Sequence, residues 1–80
     1  MSKWIPGEPL TDRDKEILQP LLEKALELGR TPTKGEVKSA GIVKGRFRLW
    51  EYAILAAGLP QLRDPEQARL RLRDKQAKDS

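Results

Sequence analysis

The chain predicts an all-α fold: a small domain of three to four short helices with helix-turn-helix character, a flexible N-terminal arm and a polar C-terminal helix. Apolar residues recur at helical spacing in two segments, 17–28 and 50–57, and Gly or Pro closes each helical stretch. The aliphatic residues are mostly Leu, Ala and Ile, which suit helices. Eighty residues allow one domain with a thin core, to which Trp4, Phe47, Trp50 and Tyr52 must contribute heavily.

Residues 1–10, with Pro6, Gly7 and Pro9, form neither helix nor central strand and are assigned to an extended arm. Trp4 within it either docks on a gap in the core or waits for a partner. Thr11, followed by Asp12 and Asp14, marks a helix start: a hydroxyl cap, then carboxylates facing the positive end of the dipole. Ile17, Leu21, Ala25 and Leu28, widened by Leu18, Leu22 and Leu26, make the buried stripe, and Gly29 ends it. Pro20 removes one backbone donor inside this stretch, so a kink or two short helices meeting there is expected.

Thr33 with Glu36 is a capping-box pair that opens a second helix through about Ala40, terminated by Gly41. A third helix is assigned to Ile42–Phe47, with Gly45 in its interior. The fourth begins at Leu49, carries Trp50, Ala53, Ile54 and Ala57, and closes at Gly58, with Leu59 folding back on Ile54 and Pro60 preventing continuation. Residues 11–60 are thus the helical domain. In 61–80, a polar basic C-terminal helix or tail, Asp64, Pro65 and Gln67 start a helix whose Ala68, Leu70 and Leu72 offer little apolar stripe, which predicts a solvated helix that frays.

Histidine and cysteine are both absent, which removes the usual general base, the thiolate nucleophile, disulfides and most zinc sites. Asp12, Asp14 and Glu16 lie close together, but at a helix N-terminus they serve as dipole partners. The expectation is therefore a protein without enzymatic activity, metal or cofactor. No run approaches the length of a membrane span and "MSKWIPGEPL" lacks the apolar core of a secretion signal, so a cytoplasmic setting without a membrane partner is expected.

The net charge of +4 is unevenly distributed. Residues 1–29 hold four basic and six acidic groups, whereas residues 30–48 hold Arg30, Lys34, Lys38, Lys44, Arg46 and Arg48 against Glu36 alone. A capped short helix, a turn at Gly41 and a basic helix have the order of a helix-turn-helix unit, whose later helix enters the major groove. Lys44 and Arg48, four apart, share one face of the basic helix while Val43 and Phe47 share another, and Lys34 and Lys38 are four apart on the preceding helix. The six cations are accordingly the candidate duplex-DNA contacts, with Lys34 and Lys38 on phosphates and Lys44, Arg46 or Arg48 nearest the base edges. Gly45 either permits a bend or lets the backbone approach a phosphate. Exposed Lys and Arg also serve solubility, and Arg69, Arg71 and Arg73 of the tail, balanced by Asp64, Glu66, Asp74 and Asp79, are assigned to a solvated face. The alternatives to DNA are RNA, or a role as a small adaptor or phage factor attached to a larger acidic protein through the same face or Trp4.

Leu28-Gly29-Arg30, Pro32-Thr33, Glu36, Arg46-Phe47, Trp50, Ala53 and Ala56-Ala57-Gly58-Leu59, taken in order, resemble the homing-endonuclease-associated repeat over about residues 11–60. The resemblance implies a small helical DNA-binding module of mobile elements, found beside nuclease domains. No nuclease motif fits in the remaining residues, which points to a free-standing binding module. Where such repeats generally have Gly and Ser between the Phe and the Trp, this chain has Arg48 and Leu49, and its segment between Pro32-Thr33 and Arg46-Phe47 is shorter.

Overall fold

The computed structural model describes residues 3–79, and the side chains of residues 3–76. Among them the regular elements are all helical: α1 (Asp12–Leu28), a single 3-10 turn (Lys34–Glu36), α2 (Ala40–Phe47), α3 (Trp50–Ala56) and α4 (Pro65–Asp79). None is long and apolar enough to cross a membrane.

The start of α1 is a reciprocal capping box: the Asp14 amide donates to Thr11 Oγ1, and the Thr11 amide donates to the Asp14 carboxylate, each at 3.1 Å. Gly29 ends the helix at φ 70°, its amide bonded to the Ala25 carbonyl at 2.9 Å. A left-handed residue is required there, and glycine adopts it without steric cost. The break expected at Pro20 does not divide the helix. Pro20 and Glu16, whose carbonyl loses its amide partner, are both on the exposed side, where water can satisfy the orphaned oxygen.

The second helix, expected through Ala40, is only the 3-10 turn. The Thr33–Glu36 pairing is present, with the Thr33 amide and hydroxyl both donating to Glu36 Oε1 at 2.9 and 3.0 Å. Immediately afterwards Val37 is extended (φ −108°, ψ 119°) and buried. A β-branched side chain with a place in the core, preceded by a glycine inside the turn, outweighs a good cap. Gly41 consequently has no helix to terminate. It lies in the first turn of α2, which begins two residues before the expected Ile42.

The core joins Trp4, Leu18, Leu21, Val37, Val43, Phe47, Trp50, Ala53 and Ile54. Trp4 docks as one of the two sequence readings expected: its ring meets Phe47 edge-on at 5.4 Å and Tyr52 at 6.5 Å, and its Nε1 donates to the Glu8 carbonyl at 3.0 Å. The arm is pinned further by a bond from the Trp4 amide to the Arg46 carbonyl. Trp50 Nε1 donates to the Pro32 carbonyl at 3.2 Å, tying α3 to the loop after α1. α3 ends as its sequence predicts, with Gly58 at φ 75° and the Leu59 amide bonded to the Ile54 carbonyl at 3.1 Å.

α4 is not a freely solvated helix. Gln67 is buried and its Oε1 accepts from the Thr31 amide at 2.7 Å; Asp74 accepts from Arg30 at 2.7 Å; Arg71 donates to the Leu62 carbonyl at 3.0 Å. Gln67, Arg71 and Asp74 recur at intervals of four and three, so α4 docks through a polar stripe.

Candidate nucleic-acid interface

The six cations of residues 30–48 separate into two classes once the chain folds. Arg30 follows the left-handed Gly29, which turns it inward, and its side chain is only 6% exposed. Its guanidinium donates to both oxygens of Glu36 (2.8 and 2.6 Å), to Asp74 (2.7 Å) and to the Thr31 carbonyl (3.2 Å). Five donors in a rigid fork suit this arrangement, and a lysine could not reproduce it. The guanidinium holds the Glu36 carboxyl well below the usual range, at about 2, assisted by the Thr33 amide and hydroxyl, while its own pKa rises. With the exposed Arg73 3.9 Å from Asp74, two cations balance the two carboxylates of this cluster.

Arg46 is the second paired cation. Its Nε and Nη2 donate to Asp14 Oδ1 and Oδ2 at 2.6 and 3.1 Å. Asp14 is almost wholly buried, and its pKa is lowered to about 2 by the Arg46 hydrogen bond first and by the Thr11 bonds after it. The acid read as a dipole partner thus caps α1 and fastens α2 to α1 at once. Arg30 and Arg46 therefore depart from the expectation that all six cations project outward together, because carboxylates distant in sequence neutralise them.

The remaining four do face outward. Lys34, Lys38 and Arg48 are exposed and Lys44 is half-buried, and among the described residues none has a carboxylate within 4.0 Å. The expected stacking of Lys34 over Lys38 is lost, since Val37 between them is extended. Lys38 borders a groove shared with Glu23, Lys24, Glu27 and Glu36; Lys24 pairs with Glu27 and Arg30 with Glu36, which leaves Glu23 as the acid there without a cation among the described residues. On α2, Lys44 and Arg46 are separated by about 200° of helical rotation. They lie on opposite flanks of the buried Val43–Phe47 stripe, so only Lys44 continues toward Arg48.

Between those flanks, Gly41 and Gly45 are exposed on the outer surface of α2, where a Cβ at either would meet no atom of the protein. The reversal into α3 is a two-residue turn. Arg48 has φ 71° and ψ −54°, and the Leu49 amide donates to the Phe47 carbonyl at 2.8 Å, which makes a γ-turn of the rarer, positive-φ hand. The helix-to-helix turn thus sits at Arg48–Leu49 rather than at Gly41. Sequence periodicity ended one helix at Phe47 and began another at Leu49 but gave no sign of this conformation, since nothing about an arginine signals positive φ.

A second surface feature is an open apolar groove of about 370 Å3 between the end of α1 and the start of α4, lined by Leu22, Ala25, Leu26, Leu59, Pro60 and Gln67 among others. Leu26 there is 87% exposed.

In comparison with known proteins, the family model described as the homing endonuclease associated repeat matches residues 12–60, from the first residue of α1 to the proline after α3. No curated protein and no solved structure matches the chain.

Proposed function

Because this chain belongs to the homing endonuclease associated repeat family, we propose that it is a non-catalytic module that docks on duplex DNA through Lys34, Lys44 and Arg48, with Lys38 at the margin. The observation that carries this reading is the division of the cations: two are neutralised inside the fold, and four within residues 34–48 have no carboxylate partner among the described residues. Lys15, Arg63, Arg69 and Lys75 also lack a carboxylate within 4.0 Å among the described residues, but the four of residues 34–48 lie in a stretch whose lone acid, Glu36, is already bonded to Arg30. These four are available to displace counterions from a phosphate backbone, the dominant source of affinity in DNA docking.

Gly41 and Gly45 support the same face. A glycine inside a helix costs roughly 0.5–1 kcal/mol against alanine, and neither has a steric reason within the protein. A backbone bare of Cβ atoms permits close approach of α2 to a phosphate or groove wall. Lys34 then contacts phosphate, and α2 with its following turn lies nearest the base edges. The homing endonucleases of the family's description support a mobile-element setting.

Fluorescence anisotropy titrations of duplex DNA, single-stranded DNA and RNA at two salt concentrations test the proposal. Duplex DNA is expected to bind tightest and to weaken steeply with added salt; tightest binding to RNA, or salt-independent binding, would count against it. The second reading, a protein adaptor, is favoured by the apolar groove at Leu22 and Leu26, and complete absence of nucleic-acid binding would move the function there.

A further inference from the structure

The turn between α2 and α3 departs from local preference at both of its residues. Arg48 occupies a positive-φ γ-turn, a conformation that L side chains strain to adopt and glycine does not. Leu49 occupies the N-cap of α3 (φ −116°, ψ 144°) and makes no side-chain cap bond, where Ser, Thr, Asp or Asn would satisfy a free amide. Both side chains are exposed, Leu49 to 40%. Neither belongs to the internal framework: Arg48 has no carboxylate within 4.0 Å among the described residues, and Leu49, 40% exposed, lies outside the core cluster. Consecutive positions built against local stability, without internal compensation, mark side chains retained for what they touch outside the protein.

We propose that Arg48–Leu49 is the base-reading element of the module, with the Arg48 guanidinium on the Hoogsteen edge of a guanine and Leu49 against the methyl group of a neighbouring thymine. The inference rests on the duplex-DNA reading above and adds the sequence class recognised. A guanidinium fork matches the O6 and N7 acceptors of guanine, and an aliphatic group beside it has one apolar target in the major groove, the thymine methyl. Lys34 and Lys44, single point charges on flexible stems, supply the sequence-independent attraction. The strained turn fixes the backbone from which both side chains project, which limits the rotational freedom lost on binding.

The test uses the full chain and the variants Arg48→Gly, Arg48→Lys and Leu49→Ser. Each protein is melted, and each is used to select from a randomised duplex pool. We expect Arg48→Gly to melt about 5 °C or more above the parent chain, to bind duplex DNA more weakly but still salt-dependently through Lys34 and Lys44, and to lose enrichment for guanine while keeping that for thymine. Arg48→Lys, which keeps the charge and the strain but replaces the planar fork by a flexible ammonium, is expected to bind with a weaker guanine preference. In the duplex enriched by the parent chain, replacing guanine by 7-deazaguanine should lower affinity roughly tenfold and leave Arg48→Gly indifferent. Replacing thymine by uracil should lower affinity by a smaller factor and leave Leu49→Ser indifferent. Retained guanine enrichment in Arg48→Gly, or a melting temperature no higher than the parent's, overturns the inference. Salt-dependent binding by the parent with no enrichment overturns it too, while leaving the docking reading intact; absence of any duplex binding removes both.

Discussion

Arg30 and Arg46 lie on the same basic stretch as Lys34, Lys38, Lys44 and Arg48, yet the fold treats the two sets in opposite ways. The first pair meets Glu36, Asp74 and Asp14 through short, multiply bonded contacts; the second set meets no carboxylate among the described residues. The difference shows that density of positive charge along a chain does not define a binding face. What a binding face can draw on is the surplus left after the fold has neutralised the cations it uses as fasteners.

The largest expected effect falls on the paired set. Arg30→Met removes the cation from between two carboxylates and should destabilise the domain by roughly 3–5 kcal/mol, the cost of stranding one side of a buried pair. Thermal unfolding by circular dichroism checks this, and a change within 0.5 kcal/mol would erase the distinction between fastener and surface cation. Charge reversal in the outward set should do the converse. Lys44→Glu with Arg48→Glu should leave the melting temperature nearly unchanged and reduce duplex affinity on the order of 100-fold at low salt.

Acid should act on the paired set alone. Asp14 and Glu36 have folded-state pKa values near 2, below their ordinary 3.8 and 4.5. A depressed carboxylate contributes stability that is fully present above its unfolded pKa and is lost as pH falls through the folded value. Melting temperature should therefore hold above about pH 5 and decline between pH 4.5 and 2. Glu36→Gln should flatten part of that decline, and melts at four or five pH values would show whether it does. The smallest effect separates Lys34 from Lys38. Lys34→Ala should reduce the salt slope of duplex binding by about one, and Lys38→Ala by less, because Glu23, without a cation partner among the described residues, shares its groove. Equal reductions would mean that this acid does not matter.

How much of this the sequence revealed follows from which interactions are local. The Thr11 hydroxyl cap, the Gly29 stop, the return of Leu59 onto Ile54 and the Asp64 cap all act within five residues, and all were legible; the reciprocal bond by which Asp14 completes a capping box was not. The second helix was misjudged because its capping signal is local whereas the demand for Val37 in the core is not. The docking of α4 was invisible to hydrophobic periodicity because Gln67, Arg71 and Asp74 form a polar stripe. Arg30 and Arg46 find partners 44 and 32 residues away, a separation at which no spacing rule operates. Of the six candidate cations, the sequence therefore identified the set but could not sort it. One signal was present: Glu36, the lone anion of residues 30–48, sits six residues after Arg30 in a chain that bends at Pro32.

The most direct measurement is the dependence of duplex affinity on salt for the parent chain and for a variant with alanine at Lys34, Lys38, Lys44 and Arg48. Docking through these four cations predicts a log–log slope of roughly −3 to −4 in the parent and a slope near zero in the variant, which should remain folded. A slope that is the same in both proteins would place the DNA contacts elsewhere and contradict the account.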